Sequence, residues 1–227
     1  MKIQFIEGTF ADVALSPLGN ELFLLEHATV QGTDGVRGYL MTLPQGTRKE
    51  VFSSTLHDLA VSWHGTTIYI YERAGAIGQG GVLFAANPKT GAQRRIKVSA
   101  EGFSALGGEG MALVDEGGLL SLYDEKSSLE SPLSLFTFAS KCDFLKALIY
   151  CAVPQSLPSR ERWYTGEESS NDGVGVSDQE GNAIMLFSPS EGSGHDFIHV
   201  RLSARGDFLA VDKKTGLLWR IAVPPPK

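Results

Sequence analysis

One short phrase recurs along the chain: an apolar run, a four-residue turn, then a second apolar run. It reads Val13-Ala14-Leu15, Ser16-Pro17-Leu18-Gly19, Leu22-Phe23-Leu24-Leu25, and returns as Leu59-Ala60-Val61, Ser62-Trp63-His64-Gly65, Ile68-Tyr69-Ile70-Tyr71. Near the end it is Ile198 to Leu202, Ser203-Ala204-Arg205-Gly206, Phe208-Leu209-Ala210-Val211. The first two turns lie 46 residues apart and the second and last 141 apart, three times a near-equal step. A repeat of that length built from strands is the spacing of β-propeller blades.

Filling in the step gives five blades, at about residues 10–53, 56–100, 103–139, 141–190 and 197–223. Pro and Gly in slots such as Asn87-Pro88-Lys89-Thr90-Gly91 set φ for tight turns between strands. In blade one the stretch His27 to Gly38 reads as a long loop, and in blade four Pro154 to Asp172 reads as the longest excursion. The last blade shows three strands before Val223-Pro224-Pro225-Pro226, while Lys2 to Ile6 alternates like an unassigned strand. Pairing residues 2–7 with Trp219-Arg220-Ile221 would complete it and hide the edges that otherwise template aggregation. The expectation is an all-β chain, a single five-bladed β-propeller domain over 1–227 closed by its N-terminal strand. The alternative is a fragment of a larger propeller.

Composition agrees, with 26 Gly and 10 Pro in 227 residues and few helix signals. A net charge of −6 without a basic run argues against a nucleic-acid partner. No apolar stretch is long enough to span a bilayer. The N-terminus lacks the apolar stretch of a signal peptide, so either the chain is cytosolic or a leader has been removed. Cys142 and Cys151 flank a hairpin whose midpoint falls between Lys146 and Ala147, which sets them opposite each other across the ladder. A disulfide there implies an oxidising compartment; the alternative is two buried free thiols.

Ser16-Pro17-Leu18-Gly19-Asn20 before Leu22-Phe23 resembles the Ser-Pro-Asp-Gly repeat of TolB-like and WD-repeat-like propellers. A longer series runs Leu56-His57-Asp58-Leu59-Ala60-Val61-Ser62-Trp63, Lys141-Cys142, Tyr150-Cys151-Ala152-Val153-Pro154, Trp163-Tyr164-Thr165-Gly166, Leu217-Leu218-Trp219. It resembles uncharacterised, membrane-anchored propeller proteins of small-genome bacteria, from about Ala11 to Trp219. This sequence departs from them in lacking the anchor and in reducing to Asp172 the acidic cluster that follows the Trp-Tyr-x-Gly phrase. The resemblance implies an extracytoplasmic propeller, at the periplasm or cell surface, and brings no activity with it. Fold alone is poor evidence of function.

Several residues carry possible chemistry. Gly75 to Gly81 superficially suggests a phosphate loop, yet Val82-Leu83-Phe84 continues as a strand where a helix is needed. His57-Asp58 and His195-Asp196 each precede an innermost strand, where His and Asp could hold an ion or substrate at a channel mouth; the plainer reading has Asp58 and Asp196 accepting loop amides. Asp12, Asp58, Asp143 and Asp196 are the acids closest to inner strands, as a glycoside hydrolase would require. No Gly-x-Ser-x-Gly nucleophile is present. Arg160, Arg162, Trp163 and Tyr164 have the composition of a binding hot spot, unless Trp163 folds back over an apolar blade face. Trp63 and Trp219 are expected between blades, with indole N–H groups needing partners.

The reading that results is a non-catalytic, monomeric binding or scaffold module for an envelope protein or surface polysaccharide. It has no catalytic residue, cofactor, metal or nucleic-acid partner. The alternative is a carbohydrate-active hydrolase or lyase using Asp12, Asp58 and Asp196.

Overall fold

The computed structural model describes residues 6, 8–72, 81–99, 104–107, 110–116, 118–188, 194–203 and 206–223. They form five antiparallel sheets, each with its strands in simple up-and-down order. The first holds β1 (Phe10–Leu15), β2 (Glu21–Val30), β3 (Thr33–Thr42) and β4 (Arg48–Ser54). The second holds β5 (Leu59–His64), β6 (Thr67–Glu72), β7 (Gly81–Ala86) and β8 (Gln93–Ser99). The third holds β9 (Ser104–Gly107), β10 (Met111–Glu116), β11 (Leu119–Asp124) and β12 (Glu130–Phe136). The fourth holds β13 (Cys142–Leu145), β14 (Leu148–Pro154), β15 (Asp172–Ser177) and β16 (Ala183–Phe187). The fifth has three described strands, β17 (Phe197–Leu202), β18 (Phe208–Asp212) and β19 (Leu218–Ile221). Of residues 2–7, expected to supply its fourth strand, all but Ile6 lie outside the described residues, as does most of the Gly75–Gly81 loop, and Ile6 is in no strand.

The repeated turns behave as their residues require. Gly19 sits at φ 70° and its N–H donates to the Ser16 carbonyl at 2.8 Å, while Ser16 Oγ accepts the Glu21 amide at 3.0 Å. The expected loop from His27 to Gly38 is a correction: β2 and β3 continue through it as ten-residue strands. Gln31 and Gly32 both take positive φ, 51° and 79°, the two-residue geometry that matches strand twist and leaves no loop to make.

The sheets group into two compact units, one carrying β1–β8 and the other β10–β19 with most of β9. In the first unit alternate residues meet in one core: Phe23 and Leu25 of β2, Leu59 and Val61 of β5, Ile68 and Ile70 of β6. In the second unit, period-two alternation divides β14 between two cores. Ile149 and Cys151 face Leu113, Leu122 and Phe144, whereas Tyr150 and Ala152 face Val174, Phe197 and Phe208. Both faces of β14 are therefore buried.

Cys142 and Cys151 pair across β13 and β14 with Cα atoms 4.1 Å apart and form a disulfide. Lys146, at φ 57°, turns the hairpin between them. Replacing both cysteines by Ala is expected to lower stability by about 2–3 kcal/mol through the shorter loop's freedom in the unfolded chain. Urea unfolding of the variant checks this; an unchanged midpoint rejects it.

Candidate functional site

The excursion after β14 contains a helix the sequence did not announce, α1 (Arg160–Thr165). It starts with the Trp163 amide donating to the Ser159 carbonyl at 2.8 Å and stops at Gly166, whose left-handed φ of 85° favours a residue without Cβ. Ser159 N–H also donates to Glu168 Oε2 at 2.7 Å, and Gln155 N–H to the Asn171 carbonyl at 2.9 Å, so both ends of the excursion are tied together.

One face of α1 turns inward. Trp163 is 4% exposed, its ring 5.0 Å from Phe138, and its Nε1 donates to Asp196 Oδ1 at 2.9 Å and Oδ2 at 3.0 Å. Beneath it lies Lys141, which ends a 3₁₀ turn (Ala139–Lys141) ahead of β13 and has no exposed surface. Its Nζ donates to Ser170 Oγ at 2.6 Å, Asp172 Oδ2 at 2.6 Å and Asp196 Oδ1 at 2.9 Å, and stands 4.8 Å from the Trp163 ring. Asp196 also accepts from Ser170 Oγ at 2.7 Å and Ser170 N–H at 3.2 Å. Asp172 Oδ2 accepts the Phe197 amide at 2.7 Å; its Oδ1 is buried without a hydrogen-bond partner.

The two carboxylates differ. Burial pushes the Asp172 carboxyl up, against the pull of Lys141. Burial raises Asp196 as well, but the Lys141 charge and hydrogen bonds from Lys141, Ser170 and Trp163 outweigh it and hold this group below the usual range.

A second tier of contacts fastens the helix. Lys213 Nζ lies 4.4 Å over the Trp163 ring and donates to the Trp163 carbonyl; burial lowers its pKa. Lys214 Nζ donates to the carbonyls of Ser170 at 2.7 Å and Gly194 at 2.9 Å. Arg160 pairs with buried Asp115 and lies 5.6 Å from the Phe138 ring. Asp212 meets His195 Nδ1 at 3.1 Å and accepts Thr215 Oγ1 at 2.9 Å and the Asp196 amide at 3.2 Å. The other face of α1 is open: Tyr164 is 40% exposed with its hydroxyl 3.2 Å from Ser140 Oγ, and exposed Arg162 pairs with Glu168 at 2.7 Å. Separately, a pocket of about 350 Å³ is lined by Phe187, His195, Phe197, Trp219 and Arg220, with Trp219 4.2 Å from the His195 ring.

Of the residues singled out in the sequence, Trp163 and Asp196 are joined directly, and Arg160 and His195 stand in the tier around them. Trp163 does fold back, over buried Phe138 and an ion cluster together. His57 and Asp58 belong to the first unit, where both are exposed at the start of β5 and the Asp58 charge helps raise the Glu72 carboxyl after burial does. Asp12 Oδ2 accepts the Val61 amide of β5 at 3.0 Å, and Asp143 Oδ2 the Leu202 amide of β17 at 2.8 Å. These acids fasten the first strand of one sheet to the first strand of another within their own units. Trp219 keeps 36% of its surface exposed, and the buried Trp63 Nε1 has no partner. Among the described residues no cluster of His, Cys, Asp and Glu could hold a metal ion. Sequence reasoning gave no role to Lys141, Ser170 or Asp172.

No protein-family model matches this chain, and no curated protein matches it. Solved structures do. TolB from Acinetobacter baumannii matches over 91% of this chain and 52% of its own, at TM-score 0.54 and 15% identity. A chain of the nidogen/laminin complex matches over 93% of this chain and 75% of its own, at 0.59 and 9%. The β-propeller domain of the Trilobed protease from Pyrococcus furiosus matches over 96% and 72%, at 0.53 and 11%. This chain thus spans about half the length of TolB. At such identities the likeness concerns fold alone, and with the five antiparallel blades the fold is an all-β propeller.

Proposed function

We propose that the chain is a non-catalytic, extracytoplasmic binding or scaffold module, acting as one propeller, whose contact surface is the outer face of α1. Its preferred partner is an envelope protein or surface polymer. The observation that carries this is the fastening of α1: a six-residue helix inside a long excursion is held from beneath by Trp163 on buried Asp196, while Tyr164 and Arg162 face outward. A rigid display of an aromatic and an Arg is suited to recognition, because little side-chain freedom remains to be lost on binding. The disulfide supports an oxidising compartment, as does the resemblance to anchored propellers of small-genome bacteria. Asp12, Asp143 and Asp196 hold backbone amides or Lys141, which favours binding over glycoside hydrolysis.

The test is capture from solubilised envelope and from purified surface polysaccharide by the wild type and by Arg162→Glu/Tyr164→Ala. The double variant is expected to keep its melting temperature and lose capture by at least about tenfold, the scale of a hot-spot pair. Equal capture by both proteins rejects this surface.

A further inference from the structure

The cluster beneath α1 brings together the parts of an acyl-transfer reaction with no outside reagent. Lys141 Nζ, a nucleophile once it loses a proton, stands 2.6 Å from Asp172 Oδ2 with both side chains fully buried. The same Nζ lies 2.9 Å from Asp196 Oδ1, a second carboxylate placed to take that proton. The Phe197 amide donates to Asp172 Oδ2 at 2.7 Å, where negative charge develops when a nucleophile adds to the carboxyl carbon. Asp172 Oδ1 has no partner and is free to leave. We propose that Lys141 and Asp172 condense within the folded protein into an intramolecular amide, with Asp196 as proton acceptor and the Phe197 N–H as oxyanion donor.

The step balances. The step starts from a Lys141 ammonium, an Asp196 carboxylate and Asp172 reacting as its neutral acid, the direction in which burial shifts it against the pull of Lys141. Lys141 passes one proton to Asp196. The Nζ lone pair then attacks Asp172 Cγ, and the Nζ–Cγ bond forms. The Cγ–Oδ1 bond breaks as Oδ1 leaves with two hydrogens as water. One hydrogen stays on the new amide nitrogen and one on Asp196, so a buried ion pair is replaced by neutral groups. Fixed proximity and the removal of solvating water from the amine are what such a reaction needs, and no oxidant or cofactor takes part.

Intact-mass spectrometry of the purified chain, with the disulfide reduced, tests the proposal. The wild type is expected to be lighter than its sequence mass by one water, with a branched peptide on proteolysis joining the segment around Lys141 to that around Asp172. Lys141→Arg is expected at full mass. A wild type at full mass overturns the proposal. So does a water loss that persists in Lys141→Arg, or that maps to the Asp172-Gly173 step alone, because an aspartyl succinimide at that step loses the same mass. The readout needs only the wild-type protein, so a poorly folding variant does not blunt it.

Discussion

Asp196→Ala is expected to lower stability by about 3–5 kcal/mol, the range for removing one member of a buried charge pair. That is a fall of about 6–20 °C in melting temperature for a chain of this size. The side chain is 0% exposed and takes hydrogen bonds from Lys141 Nζ, Ser170 Oγ, Ser170 N–H and Trp163 Nε1. Without it, the indole and the Ser170 amide are buried donors facing a cavity, and the Lys141 ammonium loses the carboxylate that stands 2.9 Å from it. Asn is expected to be almost as damaging, because its amide nitrogen would face the donors that now point at one carboxylate oxygen. Urea unfolding followed by far-UV circular dichroism measures the loss. Glu167→Ala, which removes the far partner of exposed Arg162 at 3.7 Å, is the control and should stay within about 0.5 kcal/mol. An Asp196→Ala loss no larger than this control would show that the cluster contributes nothing to the fold.

Why the fold was legible and the site was not follows from what each depends on. Blade spacing comes from local chemistry: Ser16 to Gly19 must turn, and Leu22 to Leu25 must extend, whatever lies around them. The cysteine hairpin was readable for the same reason, since its register depends only on its own turn at Lys146 and Ala147. Gln31-Gly32 escaped notice because Gln is not among the residues that favour a left-handed turn, so two long strands looked like two short ones and a loop. The α1 helix was missed for a related reason. Six residues are too few to show a 3.6-residue period, and only Ser159 before it and Gly166 after it hinted at its ends.

The ion cluster is a long-range object. Lys141, Asp172 and Asp196 come from three separate segments and meet only because the 3₁₀ turn carrying Lys141 packs against β14 and β17 while β15 pairs with β14. A lone lysine before a cysteine looks like an exposed turn residue, since lysine is seldom buried. Lys141-Cys142, Trp163-Tyr164 and Asp172 did stand among the residues compared with the anchored propellers, yet the comparison attached no role to them. Asp196 was noted for its histidine neighbour; its actual partners are a lysine, a serine and an indole.

Trp163 separates the helix anchor from its packing. Trp163→Ala is expected to lose about 3–5 kcal/mol, the cost of truncating a buried aromatic. Trp163→Phe keeps a ring near Phe138, now 5.0 Å away, and removes the Nε1 donor to Asp196 together with one of the two fused indole rings. Its expected cost is about 1.5–3 kcal/mol, that of one hydrogen bond to a charged group. Combining Trp163→Phe with Asp196→Ala should cost less than the sum of the two, by about 0.5–3 kcal/mol, because both remove the same contact. Full additivity in that cycle would mean the indole is held by packing alone. Partner capture should divide the same pair differently. In Trp163→Phe the helix stays seated, so Tyr164 and Arg162 keep their places and capture is retained. In Trp163→Ala the seat is lost, along with the ring under Lys213, so capture falls although neither outward residue has changed.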